Sequence, residues 1–354
     1  MGEFSASKVG DSMFRRRFLK TAAWLGAGAL TGCWTASTAQ DTAPSTWPDE
    51  PIQILMGGYG PPTTSFSLAL KRVGDRLTAR FGDAVDVRYV YNIMDLGYRG
   101  LEILTLVENG VLTLGYQSSS YMTNRVPELG LADTPFLFTT TETARAAIDG
   151  DFGRRLADSI EAQMNYRVLG YFENGFRHIS NRVRPIKTPA DLVGLKIRVL
   201  PSDVHARTFE LLGADPQIMD LSEAIAGVQA GTLDAQENPF ANTVTYGVHE
   251  YHRFHTETNH FYLSRPIFLH RPTFDSWPDE LQTEMRAAIE DAVAFQRELH
   301  EQEEIDAAAA VRAAGGEILQ LSSAQLAEFE AAVAPVYAEA QARYSSELLQ
   351  LVGL

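Results

Sequence analysis

Apolar positions recur along this chain in two rhythms, and their order predicts an architecture. Pro51-Ile-Gln-Ile-Leu-Met56 reads as a short buried strand, and Gly57-Gly-Tyr-Gly-Pro-Pro62 as the turn that ends it. From Thr63 to Phe81, Phe66, Leu70, Val73 and Leu77 fall on one helical face. Val85 to Tyr91 alternates like a strand, Arg99 to Asn109 is helical, and Val111 to Gly115 is the next buried strand. This β-α-β-α-β order predicts a largely parallel sheet with helices on both faces.

A second unit of the same kind begins near Asn174. Thr188-Pro-Ala-Asp191 combines a cap, a proline at the first helical position and an acid in the first turn. Leu195 to Leu200 is a strand, Asp220-Leu-Ser-Glu223 is a capping box, and Asp234 to Glu237 is another short strand. Pro278 to about Ala314 is almost uninterrupted helix former. At 1.5 Å per residue such a helix is about 50 Å long, longer than one small domain, so it must bridge two bodies or kink. Ser322-Ser-Ala-Gln325 caps a further helix.

The chain has 354 residues, which suits two lobes better than one core. Its 45 acidic and 30 basic residues give a formal net charge of −15, which disfavours a nucleic-acid partner because the phosphate backbone is repelled, and none is expected. Met13-Phe-Arg-Arg-Arg-Phe-Leu-Lys20 followed by the apolar run Thr21–Gly32 reads as an export signal of the twin-arginine kind. Two processing sites compete: Leu30-Thr-Gly-Cys33, which would leave a lipid anchor on Cys33, and Ser37-Thr-Ala39, which would release a soluble periplasmic protein. Beyond residue 39 the chain keeps 25 basic and 43 acidic side chains, a net −18. An anionic ligand is repelled at long range by that field, so local arginines must overcome it.

Catalytic signatures are sparse. Gly57-Gly-Tyr-Gly60 lacks the spacing and the Lys-Ser/Thr of a phosphate loop, and Gln117-Ser-Ser-Ser-Tyr121 is a polar loop at a strand end rather than a nucleophile elbow. Cys33, the only cysteine, lies in the leader. Five of the eight histidines fall between His249 and His270, but His249, His252 and His255 follow i, i+3, i+6 spacing. The third therefore rotates off a shared helical face, and a helical surface or hinge segment is the better reading than a zinc site. No cofactor, metal site or enzymatic activity is expected.

Asn174-Gly-Phe-Arg-His-Ile-Ser-Asn181, then Arg184-Pro-Ile-Lys-Thr-Pro-Ala-Asp-Leu-Val-Gly-Leu-Lys-Ile-Arg198, Leu211-Leu-Gly-Ala-Asp-Pro216 and Gln229-Ala-Gly-Thr-Leu-Asp-Ala-Gln-Glu-Asn-Pro239 together resemble the solute-binding proteins of tripartite ATP-independent periplasmic (TRAP) transporters, the DctP family. Asp133-Thr-Pro-Phe-Leu-Phe138 also fits, and the likeness runs over roughly residues 50 to 350. It implies a periplasmic-binding-protein-like α/β fold, with two α/β lobes around a ligand cleft and a long helix spanning both. On that frame residues 1–39 are the signal and 40–50 a spacer. Residues 51–173 with about 263–290 form one lobe, 174–262 with about 291–335 the other, and 336–354 a C-terminal helix.

The resemblance also implies a small organic-acid ligand and a large and a small TRAP membrane subunit as partners. It maps the ligand-holding arginine of the Gly-Leu-Lys-Ile-Arg strand onto Arg198, the Gly-x-Arg arginine onto Arg177, and the asparagine of Gln-Glu-Asn-Pro onto Asn238. A guanidinium suits this task because its planar fork matches a carboxylate with two parallel charge-assisted bonds. A structural ion pair with a buried acid for Arg198, the orienting of Arg198 or of a nearby acid for Arg177, and a helix cap for Asn238 are the competing readings. Tyr59, Tyr98, Gln117, Phe240 and Tyr262 complete the candidate site, the aromatic residues favouring a flat or apolar ligand body. Leu96-Gly97 is followed by Tyr98, where sialic-acid-binding relatives carry an acid. A receptor for another importer or sensor, and a metal-dependent exported enzyme, are the alternatives.

Overall fold

The structure, a computed structural model, describes residues 47–354; the export signal at 1–39, Cys33 and most of the 40–50 spacer lie outside the described residues. Eleven strands are β1 (Ile52–Gly57), β2 (Val85–Val90), β3 (Leu114–Tyr116), β4 (Tyr166–Phe176), β5 (His178–Asn181), β6 (Lys196–Val199), β7 (Asp215–Ile218), β8 (Ala235–Asn238), β9 (Phe254–Glu257), β10 (Tyr262–His270) and β11 (Glu317–Gln320). They form two sheets, ordered β2-β1-β3-β10-β4 and β11-β9-β5-β8-β6-β7.

The parallel β-α-β-α-β start is present: β1 pairs in parallel with β2 and with β3. The helix Ser65–Phe81 between the first two strands buries Phe66, Leu70, Val73 and Leu77, the stripe expected from the spacing. The helix expected over 99–109 is shorter, Glu102–Glu108, and β3 starts three residues later than the apolar run. In the second sheet β6 runs parallel to β7 and β8, while β5 is antiparallel to β8 and β9. Thr188–Asp191 and Asp220–Glu223 both form capping boxes. The single C-terminal helix expected over 336–354 is two, Pro335–Arg343 and Ser346–Gln350.

Three segments join the sheets. The chain leaves β4 of the first sheet at Phe176 and enters β5 of the second at His178, so Arg177 is itself the crossing residue. It returns through residues 258–261 between β9 and β10, where Arg177 N–H donates to the Phe261 carbonyl at 2.9 Å. The third link is the helix Asp279–Ala313, 35 residues long. Its buried Gln296 side chain is bonded to both backbone groups of Glu173 on β4, accepting from the N–H at 2.9 Å and donating to the carbonyl at 3.0 Å. Two turns on, Glu304 accepts from the Phe240 and Ala241 amides at 3.1 and 2.8 Å, at the start of the helix Phe240–Thr245 beside the second sheet. The long helix thus holds both lobes, as its length requires.

Strands β4 and β10 carry no expectation from sequence. β10 is central in its sheet although it contains Pro266, which lacks an N–H for the ladder. Register shifts on either side of Ser264–Ile267 accommodate it.

Candidate functional site

A narrow cavity lies between the two sheets, bordered by Tyr59, Gln117, Asn174, Arg177, Arg198, Asn238 and Arg265 among others. Each wall has its own arginine. Arg198 projects from β6 on the second-lobe wall, with 2% of its surface exposed. Its Nε and Nη2 donate to the Met219 carbonyl at 3.2 and 3.1 Å, and Nη2 also donates to the Tyr121 hydroxyl at 2.9 Å. None of these partners is charged, and among the described residues no carboxylate lies within 4.0 Å of it. Lys196, two residues earlier on the same strand, is exposed.

Arg177 borders the same cavity in a different state. Its Nε donates to Glu237 Oε2 and its Nη2 to Oε1 at 2.9 Å, with the Glu237 carbonyl as a further acceptor. Both residues are buried. Burial alone would raise the Glu237 carboxyl, but the Arg177 charge and the His260 imidazole hold it well below the usual carboxylate range. The fork of Arg177 is therefore engaged by an internal acid, the competing reading for this residue.

Asn238 is buried on the cavity wall, donating to Gln236 Oε1 at 2.5 Å and accepting from Asn242 Nδ2 at 3.3 Å. It does not cap the following helix; Glu304 does. Gln117 donates to the Gly100 carbonyl at 2.8 Å, and Tyr59 is buried against Tyr116. Three expected residues do not border the cavity. Tyr98 follows the short turn Ile93–Leu96 and is 41% exposed. Phe240 turns away into an apolar cluster with Ala307 and Val311 of the long helix. Tyr262 is drawn into the first-lobe core, its hydroxyl donating to Glu173 at 2.9 Å and its ring set edge-on to Phe176.

The stretch around His249, expected as a helical surface or hinge segment, holds one short 3-10 helix, Val248–Glu250, and leads into β9. His252, His255 and His260 are buried, not on the surface, and bond to Ser180, the His252 carbonyl and Thr258 respectively. Among the described residues no three His, Cys, Asp or Glu side chains converge as a metal site.

Residues 56–343 match the model of the DctP family, bacterial extracellular solute-binding proteins of family 7. The chain belongs to this family. The 2,3-diketo-L-gulonate-binding periplasmic protein YiaO of Escherichia coli is 30% identical over 268 residues, covering 75% of this chain and 81% of that protein. The C4-dicarboxylate-binding periplasmic protein DctP of Rhodobacter capsulatus is 28% identical over 92% of this chain and 96% of its own. Among solved structures, the sugar acid binding protein DctPAm of Advenella mimigardefordensis, in complex with galactonate, matches with a TM-score of 0.81 at 25% identity, over 86% of this chain and 97% of that one. DctP-family proteins are transport receptors rather than enzymes, with two α/β lobes around a ligand cleft. No helix among the described residues is long and apolar enough to cross a membrane.

Two of the residues missed from sequence, Arg265 and Asn174, lie on strands that were missed; a third, Tyr246, follows the helix Phe240–Thr245. Arg265 on β10 is 3% exposed and donates to Asn174 Oδ1 at 2.6 Å. Asn174 is held in turn by Asn242 Nδ2 at 2.9 Å. Tyr246 completes this side of the cavity. The one available signal was an arginine inside the apolar run Tyr262 to Leu269, an arrangement that needs a buried polar partner.

Proposed function

We propose that this DctP-family chain is the extracytoplasmic receptor of a TRAP transporter. It captures a small organic carboxylate in the interlobe cavity on Arg198 and presents it to the large and small membrane subunits. The observation that carries this reading is the state of Arg198: a buried guanidinium on the cavity wall, oriented by a carbonyl and a phenol, with no internal carboxylate. Such a group gains most from an anion that brings two parallel charge-assisted bonds. Relatives named for 2,3-diketo-L-gulonate, C4-dicarboxylates and galactonate all bind acids.

Ligand meets one lobe first, and the lobes then close over it. Closure is favoured by contacts that exist only in the closed state. Gln117 and Asn238 offer amide groups to the rest of the ligand. Transport energy comes from an ion gradient across the membrane subunits. The pattern of residues 13–39 supports export ahead of this role, either soluble after Ala39 or anchored at Cys33.

The test is a thermal-shift screen of organic acids followed by titration calorimetry on the wild type and Arg198→Lys. Lysine keeps the charge and loses the fork, so affinity falls at least tenfold, about 1.4 kcal/mol. Undiminished acid binding by the variant removes Arg198 from the role.

A further inference from the structure

Only part of the Arg198 guanidinium is open to a ligand. The group is planar and its N–H hydrogens point in fixed directions. Nε and Nη2 together close on the Met219 carbonyl, at 3.2 and 3.1 Å, so that edge is spent. The edge that remains is Nη1 with the second hydrogen of Nη2, and the Tyr121 hydroxyl already accepts from Nη2 at 2.9 Å. Nη1 donates to nothing among the described residues. A carboxylate arriving at this edge therefore meets Nη1 on one side and a phenol on the other.

Tyr121 is held firmly in this position. It lies in the short 3-10 helix Ser119–Met122, between β3 and β4 of the first sheet, whereas Arg198 stands on β6 of the second. Its ring packs against the second-sheet cluster that contains Ile197 and Val199. Two residues on, Thr123 Oγ1 donates to the Pro201 carbonyl at 3.2 Å, just past the end of β6. The phenol borders the same cavity as Arg198. Having accepted from Nη2, it keeps its own hydrogen to give, and among the described residues no group accepts it. Burial pushes the hydroxyl upward in pKa, against the opposing pull of Arg198, so that hydrogen stays in place at neutral pH. A hydroxyl that accepts from a cation is polarised and donates more strongly.

We propose that Tyr121 is a ligand-binding residue that acts as one unit with Arg198. Its oxygen accepts from Nη2 and its hydrogen goes to one oxygen of the ligand carboxylate, while Nη1 donates to the other oxygen. This rests on the reading of Arg198 as the acid-binding group and adds a second donor to it. In the rival arrangement the phenol gives way and the carboxylate takes Nη1 and Nη2 for itself. Tyr121 then competes with the ligand instead of holding it, and the two arrangements predict opposite effects of removing one oxygen atom.

The experiment is calorimetric titration at pH 7.5 of the wild type, Tyr121→Phe, Arg198→Lys and the double variant. The probe is the tightest-binding acid of an organic-acid panel that includes succinate, D-galactonate and D-glucuronate. Tyr121→Phe keeps the ring and its packing, so the unfolding temperature of the unliganded protein stays unchanged while acid affinity falls at least tenfold. Lysine at 198 has one nitrogen and cannot serve the Met219 carbonyl and the phenol in one plane. Adding Tyr121→Phe to Arg198→Lys is therefore expected to cost less than threefold more, the non-additivity of residues that work as a unit. Unchanged or tighter binding by Tyr121→Phe means the phenol gives way, which overturns the proposal and leaves the Arg198 role standing. An equal loss in both backgrounds overturns it as well, since Tyr121 then acts independently of Arg198. Undiminished binding by Arg198→Lys removes the Arg198 reading, and binding of no acid in the panel removes the organic-acid reading; the proposal falls with either.

Discussion

Asp220 in the second lobe is bonded to Leu101 in the first: its Oδ2 accepts the Leu101 amide at 2.9 Å, and its Oδ1 accepts the Gly100 amide at 3.1 Å. The same carboxylate is the N-cap of the helix Leu221–Gln229, accepting from Ser222 N–H at 3.1 Å. Leu101 in turn precedes the helix Glu102–Glu108. One buried acid thus joins two helix starts on opposite sides of the cavity. Its neighbour Met219 offers the carbonyl that orients Arg198. The contact across the lobes and the ligand arginine therefore share one turn of backbone.

Asp220→Asn tests whether that contact favours closure. Asparagine caps a helix about as well as aspartate, so the helix Leu221–Gln229 keeps its start. Its amide group, however, must turn a donor toward one of the two donors across the gap. Loss of a charge-assisted bond of this kind costs about 1.5–3 kcal/mol at most. Ligand affinity is expected to fall several-fold with little change in unfolding temperature without ligand, and small-angle scattering should show a larger radius. An unchanged affinity means the contact does not bias the lobes.

The Arg177–Glu237 pair makes a different prediction, about stability. Arg177 is the crossing residue between the sheets, and Glu237 lies on β8 beside it. Removing one member of a buried pair strands the other charge, at a cost of roughly 3–5 kcal/mol. Glu237→Gln is expected to lower unfolding free energy on that scale in urea denaturation. The double variant Arg177→Met with Glu237→Leu should recover part of the loss. Equal and small losses in both singles would show that the pair is not coupled.

Buried histidines set the response to acid. Burial pushes His178 and His252 down to about 3 and His255 down to about 4. His252 also feels its neighbour His255, and His178 feels His260 and Arg177. An unfolded histidine takes a proton near pH 6.5, so below that the unfolded state binds more protons than the folded one. The stability due to each is complete above about pH 6.5 and is lost as pH falls toward 3–4. At pH 5 each costs on the order of 1–2 kcal/mol. Denaturation midpoints are expected to fall steadily from pH 7 to pH 5, and His252→Gln should flatten that slope. A flat profile in the wild type contradicts it.

Which parts of the site could be read from the chain follows from which strands could. Arg198 lies in the short strand β6, four residues long and preceded by a capped turn, and both the strand and its motif are legible. Whether Arg198 faced the cavity was not, because Lys196 shares its face; only the position of β6 between β7 and β8, with Lys196 at the exposed end, separates them. Arg265 was hidden because Pro266 argues against a central strand, and the register shifts that admit the proline leave no trace in the sequence. Phe240 and Tyr262 read as cleft aromatics from their neighbours in the chain. Their direction is set by the long helix and by Glu173, which are far away in sequence.

Gly175 gives the last prediction. It lies between Asn174, which holds Arg265, and the crossing residue Arg177, and its φ is +79°, where a side chain is strained. A Cβ there would approach His300 Nε2 to 2.7 Å, and His300 is buried on the long helix. Gly175→Ala must therefore either displace the His300 ring, with the helix that carries it, or tilt the backbone that aims Asn174. Since Gln296 pins the same helix to Glu173 just before, the helix is the harder of the two to move. The variant is expected to lose about 1–3 kcal/mol of stability. It should also lose affinity for whatever acid the wild type binds, through a misplaced Asn174. A variant that is destabilised but binds at full affinity would show that the backbone at 175 serves the helix contact alone.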